Sequence, residues 1–137
     1  MADVRDKVKS IKVDSVIDNL AQVESFIDEI CLELNVREES YGNVLIAATE
    51  AFNNAVQHGN ESNPEKQVQV QAYAENSTMK LVVLDEGEGF DFNNLPDPTA
   101  PENIEKENGR GVFLMKSLAD KVEFEKKGSE VILSFKL

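Results

Sequence analysis

Two polar residues one helical turn apart, Glu50 and Asn54, form the first group whose types and spacing could support chemistry. They lie in a segment, about residues 38–59, whose apolar side chains recur with helical periodicity. Because residues four positions apart share one face of a helix, a carboxylate and an amide oxygen would lie side by side there. Such a pair suits a hydrated magnesium ion and the acceptance of a proton. The alternative is an ordinary solvated helix face, where such polar pairs are common.

The second group, Asp85, Gly87 and Gly89, directly follows an apolar segment that we predict to be a strand over residues 79–84. An acid at the end of a strand provides a fixed hydrogen-bond acceptor, and the spaced glycines let a flat ligand approach the backbone closely. These features suit a heterocyclic base that carries an exocyclic amine. The alternatives are a tight acidic turn or a weak calcium-binding loop, although the ligand pattern of an EF-hand is absent from the sequence.

The third group, Gly109, Arg110 and Gly111, lies where a long loop is predicted to join a helix that begins at Val112. Glycines just before a helix leave backbone N–H groups free to bind an anion, and the helix dipole adds positive potential. Phosphate binding is therefore indicated, and Arg110 is one of the few cations that this acidic chain could offer a triphosphate. The sequence matches neither the dinucleotide-binding fingerprint nor the Walker A motif. An ordinary glycine-rich helix start with a surface arginine is the alternative.

Hydrophobic periodicity predicts the elements that position these three groups. The predicted strands cover residues 9–13, 67–73, 79–84, 122–125 and 131–137, and the predicted helices cover residues 16–34, 38–59 and 112–119. A loop rich in glycine and proline is predicted over residues 85–111. This order of elements predicts an α/β fold of the two-layer α+β kind, with one sheet and the helices on one of its faces.

Length and composition indicate one globular domain that spans residues 1–137. Apolar residues make up 41% of the chain, which is enough for a core, and the net charge is −12. Because so acidic a chain repels nucleic acid and anionic membranes at long range, we expect no direct partner of either kind. No segment has the length and apolarity of a signal peptide or a membrane span, so we expect a cytoplasmic protein.

A single cysteine and a single histidine limit the metal and redox chemistry of the chain. Cys31 cannot form an intrachain disulfide, and its place on an apolar helical face predicts a core residue. His58 lacks the partners of a zinc site, so we expect it to end the second helix in a structural role.

Taken in their order along the chain, the three groups resemble the motifs of the GHKL superfamily, the ATP-binding fold shared by gyrase, heat-shock chaperones and histidine kinases. The matching residues are Glu50 and Asn54 for the N box, Asp85, Gly87 and Gly89 for the first glycine box, and Gly109 and Gly111 for the second. The resemblance implies a Bergerat-type, histidine-kinase-like ATPase fold. Such a fold has a mixed sheet with helices on one face, and here its ATP lid would cover about residues 90–108 of a core over about residues 10–137.

Longer runs of sequence are similar to the anti-sigma factor serine kinase family of bacterial partner-switching systems. These runs are Glu-Ala-Phe-Asn-Asn-Ala-Val-Gln-His-Gly at residues 50–59, the proline-rich residues 96–103, and Gly-Arg-Gly-Val-Phe-Leu-Met at residues 109–115. The family usually has a Gly-Thr pair before the last strand. This chain has Gly128 and Ser129 there, which keeps the hydroxyl group.

The resemblance assigns a role to each matching residue. Asp85 would accept a hydrogen bond from the adenine amine, and Asn54 would hold a magnesium ion that bridges the phosphates. Gly109 and Gly111 would cradle the phosphates as the lid closes. Glu50 would be the general base that takes the proton from a serine or threonine of a partner protein. The remaining nucleotide-binding residues would be Gly87, Gly89, Arg110 and Ser129.

By this resemblance, we expect an ATP-binding anti-sigma regulatory factor with serine/threonine protein kinase activity. It would use ATP and Mg²⁺, release ADP, bind a sigma factor and phosphorylate the STAS-domain antagonist of that sigma factor. Family members commonly form homodimers. The alternative is a nucleotide-gated module that sequesters partners without significant phosphotransfer, and the presence of Glu50 favours the kinase. A stray domain of a larger histidine kinase is not what we expect, because the sequence begins and ends close to the limits of one domain.

Overall fold

The computed structural model describes residues 8–88 and 107–137. One layer is a sheet of five strands: β1 (Lys9–Asp14), β2 (Gln67–Glu75), β3 (Thr78–Leu84), β4 (Lys121–Glu125) and β5 (Glu130–Lys136). The other layer contains the helices α1 (Leu20–Glu33), α2 (Glu38–Asn54) and α3 (Glu107–Leu118). Short helical turns lie at Ile17–Asn19, Ala55–Gly59 and Lys126–Gly128. The two-layer α/β arrangement predicted from the order of the elements is confirmed.

The strands lie in the order β1-β2-β3-β5-β4, and every neighbouring pair among these described strands is antiparallel. The resemblance to the ATP-binding fold predicts a mixed sheet. The described strands instead form only antiparallel pairs, because of the position of the last hairpin, β4–β5. β3 and β4 run in the same direction, as strands joined through a helix do, but β5 lies between them and pairs with both. Two of the described strands, β3 and β4, therefore run in the same direction, but no two neighbouring described strands are parallel.

One face of the sheet carries the apolar side chains of the core. β2 alternates the buried residues Val68, Val70 and Ala72 with more exposed glutamines, as its period-2 pattern predicts. The register pairs Val70 with Val83, and Val83 in turn with Val131, so one row of the core crosses three strands. Burial of this shared apolar face holds the sheet against the helices.

The helices cover the sheet with apolar stripes of their own. The buried residues are Val23, Phe26, Ile27, Ile30 and Cys31 in α1, and Val44, Ala47, Ala48, Ala51 and Phe52 in α2. Cys31 is thus a core residue, as predicted, and burial raises the pKa of its thiol to about 11. Within the described part of the chain, no helix combines the length and the apolar character needed to cross a membrane.

Two connections close through asparagine residues in the left-handed region. Asn76 and Ser77 form the turn between β2 and β3, with φ angles of 53° and 60°. At the end of α1, Asn35 has a φ angle of 57°, and its N–H donates to the carbonyl of Leu32. Asparagine tolerates these angles better than most residues, so neither connection needs a glycine.

The start of α3 differs from the prediction. Periodicity places this start at Val112, whereas α3 begins at Glu107 and contains both Gly109 and Gly111. The prediction was wrong because the apolar residues that reveal helical periodicity begin only at Val112. The polar first turn contains glycine, which has low helix propensity, and therefore resembles a loop when it is considered alone.

The end of α2 also departs from a regular α-helix. The helix is regular through Asn54 and continues as a π-helical turn over Ala55–Gly59. This wider turn ends at Asn60, whose backbone N–H donates to the carbonyl of Ala55 at 2.8 Å. Such turns are frequent near functional sites because they redirect side chains locally.

Replacing Phe52 with alanine should lower the free energy of unfolding by about 3–5 kcal/mol, because the ring is completely buried and its loss leaves a cavity. Ile46 lies on the exposed side of the same helix and serves as the control. Ile46→Ala should change the free energy of unfolding by less than about 0.5 kcal/mol. Urea unfolding followed by circular dichroism measures both values. A similar loss in the two variants would contradict the packing of α2 described above.

Candidate functional site

The polar side of α2 faces the first turns of α3. Glu50 and Asn54 are half-buried there, while Phe52 points into the core. A Cβ atom placed on Gly111 would lie 3.2 Å from Glu50 Oε2 and 3.3 Å from Asn54 Oδ1. A side chain at position 111 would therefore fill the space beside these two polar groups. The structure thus brings the first and third groups of the sequence together.

A groove between α2 and α3 opens beside this contact. Its lining residues are Glu50, Asn53, Asn54, Gln57, Arg110 and Leu114. Asn53 Oδ1 is buried and has no hydrogen-bond partner among the described residues. A carboxylate, amide groups and a guanidinium in one groove can accommodate a hydrated cation together with anionic groups.

The groove does not contain a preformed metal cage. Across residues 8–88 and 107–137 there is no cluster of three or more histidine, cysteine, aspartate or glutamate side chains that could hold a metal ion. Mg²⁺ commonly binds through one or two protein oxygens together with water and substrate phosphates. The oxygens of Asn54 and Glu50 and the empty space at Gly111 therefore fit a magnesium–phosphate group better than a metal ion alone.

Asp85 directly follows β3 and is held on several sides. Its backbone N–H donates to the carbonyl of Ser129 at 2.9 Å, which continues the pairing of β3 with β5. Its Oδ1 accepts from the N–H of Gly87 at 2.8 Å. A Cβ atom on Gly59 would lie 2.2 Å from Asp85 Oδ2, so the carboxylate packs directly on the Gly59 backbone. The second group is therefore fixed against the end of α2.

One cavity contains residues from the first and second groups. Its apolar lining is Ala51, Ala55, Val83, Met115, Phe124 and Val131, and its remaining lining is Asn54, His58, Gly59, Asp85, Gly128 and Ser129. Small-molecule sites typically combine an apolar wall with a few polar groups that fix the orientation of the ligand. The composition of this lining suits the edge of a heterocycle that faces Asp85, but the cavity, at about 20 Å³, has to widen to admit a ring.

The electrostatic environment of Asp85 is unusual for an aspartate. Burial raises the pKa of its carboxyl group above the ordinary value of 3.8, while the N–H of Gly87 and the charge of Lys66 partly oppose the rise. A titratable group that is partly desolvated in a cavity is typical of a functional site. An added donor, such as the amine of a base, would stabilise the charged form.

The predicted phosphate-binding residues lie differently from the expectation. Gly109 and Arg110 are in the first turn of α3 and do not precede it, because α3 begins at Glu107. The N–H groups of a first turn lack acceptors within the helix, so this turn still offers donors to an anion. Gly111 is one residue further into the helix, and its contribution is the space that its missing side chain leaves.

The other predicted residues have mixed outcomes. The hydroxyl of Ser129 donates to the carbonyl of Lys126 at 2.9 Å, and Ser129 reaches Asp85 through its backbone carbonyl. Gly89 and nearly all of the predicted lid, residues 90–108, lie outside the described residues, so lid closure stays a prediction.

Two residues near Asp85, His58 and Gly59, were not predicted as site residues from the sequence. His58 lies in the π-helical turn that ends the second helix, as expected, but it also lines the cavity. Gly59 carries the close contact with Asp85. The available signal was their position immediately after the first group, although only the fold reveals what they touch.

A comparison with known families identifies the fold. The family model of the histidine kinase-like ATPase domain matches residues 14–135. The chain belongs to this family. Its histidine kinase-like ATPase fold and the resemblance inferred from the three groups are thereby confirmed, and both the cavity and the groove lie within the matched residues.

Relatives of this ATPase domain have names that indicate transcriptional regulation and protein phosphorylation. The chain is 33% identical to the anti-sigma F factor of Bacillus cytotoxicus over 112 residues, 76% of this chain and 75% of that protein. It is 29% identical to the serine-protein kinase RsbW of Oceanobacillus iheyensis over 104 residues, 72% and 66% of the two chains. It is 36% identical to the serine-protein kinase RsbW of Bacillus cereus over 84 residues, which are 57% of this chain and 52% of that protein. The predicted similarity to the anti-sigma factor serine kinases is confirmed, although the chain spans only about half to two thirds of these RsbW proteins.

A solved structure supports the fold independently. The RsbU and RsbW domains of a Mycobacterium tuberculosis protein superpose with a TM-score of 0.67 at 17% sequence identity. The superposition covers 96% of this chain and 33% of that one. At this identity the likeness concerns the fold alone.

Asp85→Asn should raise the thermal stability of the ATPase domain at pH 7 without nucleotide. The amide removes a charge whose burial is unfavourable but keeps an oxygen for the N–H of Gly87. Because the pKa of Asp85 is raised in the folded state, its ionised carboxylate lowers the stability of the wild type. This loss of stability is complete above the folded-state pKa and disappears below the ordinary value of 3.8. Melting curves of both proteins between pH 8 and pH 4 should therefore converge as the pH falls. A less stable Asn variant at pH 7 would contradict this electrostatic account.

Gly111→Ala should weaken binding of Mg·ATP by at least about tenfold, or about 1.4 kcal/mol, because the methyl group fills the space beside Glu50 and Asn54. Gly42→Ala is a matched control in α2, since a Cβ atom there meets nothing within 4 Å. It should stabilise the helix by about 0.5–1 kcal/mol and leave binding unchanged. Thermal melting with and without Mg·ATP measures both effects. Equal nucleotide-induced shifts for Gly111→Ala and wild type would exclude phosphates from this space.

Proposed function

We propose that this chain is an ATP-dependent serine/threonine protein kinase that acts as an anti-sigma factor. It binds a sigma factor and phosphorylates the STAS-domain antagonist of that sigma factor. The observation that carries the proposal is the position of Asn54, which lines both the cavity at Asp85 and the groove that contains Glu50. The names of the relatives, an anti-sigma F factor and serine-protein kinases, support the same function.

Recognition of adenine falls to the residues around Asp85. Its carboxylate accepts a hydrogen bond from the exocyclic amine, and the Ser129 carbonyl holds the Asp85 backbone in place. The apolar wall that includes Val83 and Met115 contacts the faces of the ring. A base with a carbonyl in place of the amine would set two acceptors against each other, so the site favours adenine.

The phosphates extend from the cavity into the groove between α2 and α3. Gly111 leaves room for them, and the first turn of α3 offers the N–H of Gly109 and the guanidinium of Arg110. Asn54 Oδ1 would hold Mg²⁺, which when bound neutralises charge on the phosphates and orients them. Asn54 would therefore help to hold the phosphates near Glu50, which lies one helical turn away.

Glu50 is the general base of the transfer. The hydroxyl oxygen of a serine on the antagonist forms a bond to the γ-phosphorus, and the bond from that phosphorus to the oxygen of ADP breaks. The Glu50 carboxylate takes the hydroxyl proton during this step. Its place one helical turn from Asn54 keeps the base next to the phosphate end of the site.

The cellular setting follows from the same proposal. Cys31, the single cysteine of the chain, is free and buried, which suits a protein of the reducing cytoplasm. The chain acts as one ATP-binding domain, and a homodimer is in keeping with the family that it resembles. Neither role requires a contact with nucleic acid or membrane.

Glu50→Gln should keep binding of Mg·ATP and of partner proteins but reduce phosphotransfer by about 10²–10⁴-fold, since it removes only the basic carboxylate. Asn54→Ala should in addition lose the magnesium-dependent part of the nucleotide affinity. The assay follows transfer from γ-labelled ATP to the STAS-domain proteins of the native cell, with partner binding measured in parallel.

Glu39→Gln is the matched control for this test, because it makes the same chemical change on the exposed first turn of α2. It should transfer phosphate at the wild-type rate. If the wild type binds an antagonist tightly but transfers no phosphate to it, the protein is a nucleotide-gated binding module. If Glu50→Gln transfers at the wild-type rate, the base lies elsewhere.

A further inference from the structure

Asn60, the residue after the π-helical turn, is completely buried and joins four segments of the chain. Its Nδ2 donates to Ser15 Oγ at 3.1 Å and to the carbonyl of Gln67 at 3.0 Å. Its Oδ1 accepts from the backbone N–H of Glu86 at 2.7 Å. One side chain therefore connects the ends of β1 and α2 with the start of β2 and with the loop after β3.

The contact with Glu86 reaches the base-recognition residues directly. Glu86 lies between Asp85 and Gly87, and its carboxylate accepts from the backbone N–H of Gln67. On the other side, the Asp85 N–H is bound to the Ser129 carbonyl. The loop is thus held from two sides, and Asn60 supplies the hydrogen bond that ties its backbone to the end of α2.

Very little clearance exists where this loop meets α2. We call the contact of Gly59, Asp85 and Gly87 the seam. A Cβ atom on Gly87 would lie 1.9 Å from the Gly59 carbonyl oxygen, and the Asp85 carboxylate also packs on Gly59. A small displacement of the loop would therefore change the distance between the Asp85 carboxylate and any base in the cavity. Asn60, which follows Gly59 in the chain, is bonded to the loop at this point.

We propose that Asn60 is a positioning residue for base recognition, which holds Asp85 in place through the Glu86 N–H and so determines how well the site distinguishes adenine from a base without the exocyclic amine. The proposal rests on the proposed binding of ATP. Without the Asn60 amide, the partly buried N–H of Glu86 would lose its acceptor. If the loop moved toward solvent, a water molecule would accept a hydrogen bond from the Glu86 N–H. Asp85 would move with the loop.

The test compares the affinities of Mg·ATP and Mg·ITP, because inosine carries a carbonyl where adenine carries the amine. The wild type should prefer ATP by about 10²-fold or more, since the wrong base leaves a desolvated carboxylate unpaired. Asn60→Ala should reduce this ratio at least about tenfold. If Asn60→Ala does not fold, Asn60→Ser carries the same expectation, because its shorter side chain cannot reach Glu86 and Gln67 together.

Ser15→Ala is the matched control. It removes one buried partner of Asn60 but leaves the contacts with Gln67 and Glu86 intact. It should lower thermal stability and keep the wild-type ratio of ATP to ITP affinity. If Asn60→Ala also keeps that ratio, or if Ser15→Ala loses it equally, Asn60 serves only the stability of the fold and the proposal is overturned.

Hydrogen exchange without nucleotide separates this proposal from the proposed function. The amide proton of Glu86 should exchange at least about tenfold faster in Asn60→Ala than in wild type, relative to amides at the centre of β3. Unchanged relative exchange would overturn the role of Asn60 even if the wild type binds ATP. A wild type that binds neither nucleotide would instead overturn the proposed function, while faster exchange at Glu86 would still establish that Asn60 holds the loop.

Discussion

The close packing at the seam is the constraint on which the rest of the site depends. The Asp85 carboxylate lies against the Gly59 backbone, and Gly87 approaches the Gly59 carbonyl, so neither glycine has room for a Cβ atom. The two elements that meet there are anchored far from the seam, α2 by Phe52 and β3 by Leu81, both completely buried. Core packing therefore sets the position of the site, and hydrogen bonds adjust it locally.

Folding and the proposed function make opposing demands on the Asp85 carboxylate. Its burial raises the pKa and so disfavours the ionised group in the folded state. The same partial loss of water strengthens any hydrogen bond that a bound base donates to it. The apolar core of the sheet and helices stabilises the fold enough to hold this group in a partly desolvated position, which the proposed function requires.

α2 is the wall shared by the two halves of the site. Asn54 contributes to the cavity that also contains residues of β3 and β5, and to the groove that α3 completes. A change in the position of α3 would therefore alter the groove and, through Met115, one part of the cavity, without moving the wall formed by the sheet. Under the proposed function, the sheet and α2 would hold the base and Glu50 would lie at the phosphate end, while α3 would contact both parts of the nucleotide through Met115 and Arg110.

The sequence by itself determined the features that depend on near neighbours. The alternation in β2 and the shared helix face of Glu50 and Asn54 follow from the periodicity of strands and helices. The turn at Asn76 and Ser77 follows from residue types that favour turns. The order of the three polar groups also sufficed to identify the family. A polar first turn hid the start of α3, because no apolar period marks it.

Only the tertiary structure decided which distant residues meet. No local sequence signal indicates that β5 lies between β3 and β4 or that Asp85 packs on Gly59. The same is true of the hydrogen bonds of Asn60 to Glu86 and Ser15, which are 26 and 45 positions away in the sequence. Their physical cause is the packing of two layers around a common core, which brings chain segments together regardless of their separation in sequence.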